Sequence, residues 1–238
     1  MSIASRLSLI ACLTGVFAAF FEPLPEVIAP LSWPAAGAVF IAAAISSIAG
    51  FAFSAIAAAM LIHIVDDHLR VVQIMLVASI AQQSYTLLFI WRSVRLVPLL
   101  EALAGGLLCL PVGLYLLLHT AGSTYKGALG IFLVFYCAIV TFLPKSVIVP
   151  YNGIGRFVAG CFGGITGPST AFPGAIPTLW VSMTDLPKDL QRGFYQPYIL
   201  IMQIAAITAF AVAVPVQSHL QDELGYVLPA LCGARLGL

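Results

Sequence analysis

The sequence predicts an all-α, polytopic membrane fold made of two inverted repeats, each beginning with a broken, re-entrant helix pair. Three observations predict it. The 238 residues are 61% hydrophobic and only 8% charged, with a mean hydropathy of +1.07. Long apolar runs alternate with short polar clusters along the chain. Two of those runs are too long for one crossing and carry a helix breaker in the middle.

A soluble domain has roughly 25% charged residues, so a chain this poor in charge needs lipid to cover its surface. The net charge of +1 gives no electrostatic basis for a nucleic-acid partner. The five cysteines (Cys12, Cys109, Cys137, Cys161, Cys232) are scattered through apolar stretches. They read as packing residues, with the spacing of neither a disulfide framework nor a metal site. No cofactor is implied.

Taken in order, Leu7–Phe21 follows Arg6 and lacks a small-x-small cleavage signal, so it reads as an uncleaved span within an N-terminal segment 1–33. The first repeat covers 34–143: a long run 34–65, the turn Asp66-Asp67-His68-Leu69-Arg70, and spans at 71–91, 96–118 and 127–143. A polar linker, 144–156, contains Lys145, Tyr151, Asn152 and Arg156. The second repeat, 157–238, has a long run 157–183, the turn Asp185-Leu186-Pro187-Lys188-Asp189, a span at 193–216 and a final run at 225–238. Each ordinary span approaches the ~20 residues a bilayer requires.

As a single helix, 34–65 would be about 48 Å long, against ~30 Å of hydrocarbon. Glycine at Gly50 places its break there, and Gly167-Pro168 places the break of the second run. The basic residues test whether each broken run turns back. If both do, Arg6, Arg92, Arg95, Lys145, Arg156, Lys188 and Arg192 share one face, opposite Arg70 and Lys126. If both cross, the basic residues divide almost evenly. The rule that basic loops stay inside therefore selects hairpins and a cytoplasmic N-terminus.

The halves also match each other. At an offset of 117, Phe40, Ala42, Ile48 and Gly50 recur as Phe157, Ala159, Ile165 and Gly167; one residue later in register, Asp67, Arg70 and Gln73 recur as Asp185, Lys188 and Gln191. A hairpin plus three spans is an odd number of crossings, so the second half enters inverted, an arrangement recurrent in transporters. Cys109–Gly113 aligns with the end of the chain at Gly233–Gly237. On that alignment the counterpart of 127–143 is missing and the last span is expected to be truncated.

Ala49-Gly50-Phe51-Ala52-Phe53-Ser54, and more specifically Gly163-Gly164-Ile165-Thr166-Gly167-Pro168-Ser169-Thr170-Ala171-Phe172-Pro173-Gly174 with Leu186–Pro197, resemble the TauE/SafE-type sulfite exporter (TSUP) family. The resemblance spans roughly residues 36 to 238. It implies a secondary transporter for small organic or sulfur-containing anions, such as sulfite, sulfonates or thiosulfate, in a bacterial inner membrane. Its partners would be membrane lipid and the anion.

Broken helices leave backbone N–H groups that favour an anion. The expected substrate-binding residues are accordingly Gly167, Pro168, Ser169, Thr170, Pro173 and Gly174 at the second break, with Gly50 and Ser54 at the first. Ser169 and Thr170 are placed at the start of the second short helix, where ordinary N-capping is the competing role. Gln196 and Gln203, like Gln82 and Gln83, either line a path or join helices. Glu101, near the start of its span, is expected at the interface. No G-x-S-x-G, H-E-x-x-H or buried His–Asp pair supports an intramembrane enzyme. A non-transporting assembly partner is the remaining alternative.

Overall fold

The computed structural model describes residues 32–49, 52–142, 148–214 and 222–236. The expected N-terminal span, Gly50 and Lys145 lie outside the described residues. Nine α-helices and no strand occur among the described residues: α1 Trp33–Ala49, α2 Phe53–Leu61, α3 His68–Ile90, α4 Leu96–His119, α5 Gly122–Phe142, α6 Gly153–Thr170, α7 Ala175–Ser182, α8 Lys188–Ala213 and α9 Val227–Leu236. Four are long and apolar enough to cross a membrane: α3 with its 3₁₀ extension to Ser93, α4, α5 and α8. This is an all-α polytopic membrane protein. Leu108, Val134 and Phe135 lie on α4 and α5 and are each more than 60% exposed, which suits hydrocarbon and not water.

Local chemistry sets the helix starts. Asp67 caps α3 by accepting from Leu69 N–H at 2.9 Å, and Asn152 caps α6 by accepting from Gly155 N–H at 2.7 Å. At the two breaks, Ala52 and Ala171 take left-handed φ values of 76° and 53°. Neither α2 nor α7 has a side-chain cap at its start.

The second break corrects the sequence expectation. Helix α6 runs through Gly167-Pro168 and stops only at Thr170. Proline removes one donor, but its φ suits a helix, and its clash with the preceding residue involves a Cβ that Gly167 lacks. The turn falls instead at Ala171, just ahead of Pro173.

Both broken runs fold back on themselves. α1 packs on α2 and α6 on α7, and a Cβ on Gly167 would meet the Pro173 side chain at 3.1 Å. Three further contacts decide between hairpins and single crossings. Arg70 Nε donates to Glu223 Oε1 at 2.8 Å, Val149 N–H donates to Met183 O at 2.9 Å, and Gly193 packs on the Ser93 carbonyl. Single crossings would put the members of each pair on opposite faces, some ~30 Å apart. Hairpins put each pair on one face, as the basic residues predicted.

Helices from opposite halves interlock through small residues. In the α4–α6 contact, a Cβ on Gly105 would strike the Phe157 carbonyl, one on Gly160 the Ala102 carbonyl, and one on Gly164 the Gly106 carbonyl. Helices in lipid gain little from hydrophobicity, so such close backbone approach supplies the attraction. The reciprocal contact joins α1 to α9, where a Cβ on Gly233 would strike the Phe40 carbonyl. Phe40 and Phe157 are repeat-related, so Gly233 corresponds to Gly105. The alignment of Gly233–Gly237 with Cys109–Gly113 is thereby corrected: Val227–Leu236 matches the segment that begins at Leu99.

Gly164→Val should therefore force α4 and α6 apart and cost about 1–3 kcal/mol or more. Gly130→Ala, where a Cβ meets nothing within 4 Å, should be neutral. Thermal unfolding of the two purified variants checks both expectations.

Candidate functional site

The antiparallel helices α3 and α8 carry a buried polar belt. On α3, Ser79, Gln82, Gln83 and Thr86 follow i, i+3, i+4, i+7 spacing and so share one face. On α8, Gln196 and Gln203 are seven residues apart and are 2% and 0% exposed. Gln203 Nε2 donates to Ser79 Oγ at 2.7 Å, tying the helices together. Gln82 Nε2 donates to Ser46 Oγ at 2.5 Å, bringing in the end of α1.

Where these helices meet lies a narrow cleft of about 10 Å³, room for about one water, lined by Ser46, Ser47, Phe53, Gln82, Gln83, Thr86 and Gln196. Gln82 is eleven residues from Ser93, roughly 16 Å along the helix, and thus near mid-membrane. None of the lining residues carries a charge. Phe53 is the first residue of α2, so the cleft adjoins a helix N-terminus without a side-chain cap. The first N–H groups of a helix form the positive end of its dipole. Gln82 Oε1 is buried with no hydrogen-bond partner among the described residues.

The breaks themselves touch. Ser54 Oγ donates to Ala171 O at 2.6 Å, joining the start of α2 to the end of α6. This bond occupies a hydroxyl that the sequence reading assigned to an anion. Ser169 and Thr170 also differ from expectation. They end α6 instead of starting α7, and their hydroxyls donate to the Ile165 and Thr166 carbonyls, each at 2.7 Å. A helix C-terminus presents carbonyls, not the N–H groups that the expected helix start would have offered. Pro173 and Gly174 are buried in the turn, with Gly174 at the N-cap of α7; Gly167 packs against this turn, and Pro168 is buried. The structure therefore brings Gln196 into the polar cleft and ties Gln203 to Ser79, while it leaves the second-break residues out of the cleft lining.

Ser46, Ser47 and Thr86 were missed. Serine and threonine are common in apolar helices, bonding back to their own carbonyls, as Ser47 does to Ala43 O at 2.8 Å. The i, i+3, i+4, i+7 polar face on α3 was the signal available.

Charges stay at the faces. Glu101 pairs with Arg156 where α4 and α6 begin, at the interface as expected. Arg156 also lies over the Tyr151 ring, 4.7 Å from its centroid. Burial raises the Tyr151 phenol above its ordinary pKa, opposed by the Arg156 charge beside it. A second small cleft at this face is lined by residues including Arg95, Ser93, Tyr151 and Phe194.

Interlocked helix hairpins around a narrow, uncharged polar cleft define a polytopic membrane protein. The chain belongs to the sulfite exporter TauE/SafE family, whose model matches residues 35–238. The family is one of transporters, not enzymes, in keeping with the sequence reading. No curated protein and no solved structure matches the chain.

Removing the link between the breaks should be costly. Ser54→Ala leaves the Ala171 carbonyl without its donor inside the membrane, an expected loss of about 1–3 kcal/mol. Ser169→Ala removes only a helix-internal bond and should unfold close to wild type. Comparing thermal unfolding of the two variants checks the contrast.

Proposed function

We propose that this chain is a secondary transporter for small anions of the sulfite, sulfonate or thiosulfate type, with the α1–α3–α8 cleft as its site. The observation that carries this reading is a largely buried, uncharged cluster of glutamine amides and hydroxyls beside the start of α2, which has no side-chain cap. An anion entering hydrocarbon loses hydration worth many kcal/mol, which hydroxyl, amide and backbone N–H groups can replace. A neutral site also releases what a buried Lys or Arg would hold. Family membership supports the sulfur-oxyanion class.

Hydrogensulfite is a good chemical fit. Its oxygens would accept from the cleft's amides, and its O–H would donate a hydrogen bond to Gln82 Oε1. Arg95 in the outer cleft would draw the anion toward the membrane. The halves 34–143 and 157–238 would be the two units that rock about the site. Placing the face rich in Arg and Lys in the cytoplasm of a bacterial inner membrane completes the proposal.

Flux of sulfite, taurine-like sulfonates and thiosulfate into proteoliposomes tests it. Saturable flux of at least one is expected. Gln82→Ala and Gln196→Ala should each reduce it about tenfold or more, roughly one to two hydrogen bonds to a charged ligand. Ser169→Ala and Thr170→Ala should remain within about twofold, since they lose helix-internal bonds alone. Absence of flux for the whole panel in correctly folded protein would overturn the reading.

A further inference from the structure

The α4–α6 contact has a regular register. Glu101 lies against Gly153, Gly105 against the Phe157 carbonyl, and Gly113 against the Ile165 carbonyl. Each step is four residues on both helices, or eight between the last two contacts, so the helices run parallel and in phase. The position midway between the last two contacts is Cys109 opposite Cys161. The two side chains are neighbours across the contact. Glycine contacts on either side bring the helices closer than the usual ~8–10 Å. A disulfide needs the two Cα atoms within about 7 Å, which so close an approach favours.

The surroundings are hydrocarbon. Cys109 lies eight residues beyond Glu101, about 12 Å deeper along α4 and close to the membrane midplane. Both cysteines are partly exposed at the outer edge of the contact, beside the exposed Leu108, Val112, Val158 and Phe162. Cys137 and Cys232 are also exposed but belong to other helices, α5 and α9.

We propose that Cys109 and Cys161 form a dithiol–disulfide site within the membrane, closed by a lipid-soluble oxidant of the quinone class. Two S–H bonds break and one S–S bond forms, while two electrons and two protons pass to the quinone, giving the hydroquinone. Net charge is zero before and after, which suits a medium that disfavours a thiolate. The bond would staple α4 of the first half to α6 of the second. Because glycine contacts already hold these helices together, closure should stabilise the fold without moving it.

The test uses the full chain in membranes, treated with copper–phenanthroline or with decylubiquinone, then alkylated with N-ethylmaleimide and mapped by mass spectrometry. Both oxidants should yield a peptide pair linked through Cys109 and Cys161, reversible by dithiothreitol, with Cys137 and Cys232 still alkylated. The linked protein should unfold several degrees higher than the reduced form. Cys109→Ser and Cys161→Ser should each abolish the linked pair and the shift, with reduced-state unfolding near wild type. Full alkylation of Cys109 and Cys161 after oxidation, or linkage to a different cysteine, would overturn the site. Closure by copper–phenanthroline alone would reject the quinone as oxidant.

Discussion

A helix that ends inside hydrocarbon leaves backbone groups that water cannot reach, so only the protein itself can satisfy them. The rest of this architecture depends on that constraint. The two breaks answer it by meeting: Ser54 at the start of α2 supplies the donor that the Ala171 carbonyl, just past the end of α6, requires. Neither break could lie where it does if the other half of the chain were elsewhere. The interlocked contacts, α4 on α6 and α1 on α9, hold the two hairpins in that position. They are built from glycine and alanine because a larger side chain would separate the helices and pull the breaks apart.

Much of this was legible in the sequence, for identifiable reasons. Apolar length marks a span regardless of its neighbours, so α3, α4, α5 and α8 fall where the pattern put them. Basic residues record topology because loops are sorted by charge during insertion, and the Arg70–Glu223 and Ser93–Gly193 contacts agree with that sorting. The position of the second break was not legible. Gly167-Pro168 looks like an interruption, yet a glycine before the proline removes the clash that would make it one. Ala171 adopts a positive φ that no alanine advertises, imposed by its surroundings. The misplaced break carried Ser169 and Thr170 with it, from an expected N-terminus to a C-terminus.

The site was half legible for a similar reason. A glutamine in the middle of a span is conspicuous because hydrocarbon disfavours it, which is why Gln82, Gln83, Gln196 and Gln203 stood out. Ser46 and Ser47 satisfy themselves within α1 and send no such signal; only their meeting with Gln82 shows that they wall a cleft. Cys109 and Cys161 are a parallel case. They are 52 residues apart in sequence and unremarkable by spacing, and only the phase of α4 against α6 brings them together.

The distribution of charge then follows from where each kind of group is affordable. Ion pairs lie at opposite ends of the bundle: Glu101–Arg156 where α4 and α6 begin, Arg70–Glu223 where α3 and α9 begin. The first ties the first half to the linker and the second joins the two halves; Glu223, fully buried, is tolerated because Arg70 accompanies it. Between these two levels the described polar cleft holds only hydroxyls and amides. If the cleft is the proposed anion site, a fixed positive charge there would be expensive in the empty protein and slow to release its ligand. Neutral donors and a helix N-terminus avoid both costs, since their dipoles are already oriented by the fold. The same broken helices that create the backbone problem thus provide the electrostatics of the site, and the bond from Ser54 to Ala171 allows one break to be satisfied while the start of α2 remains turned to the cleft.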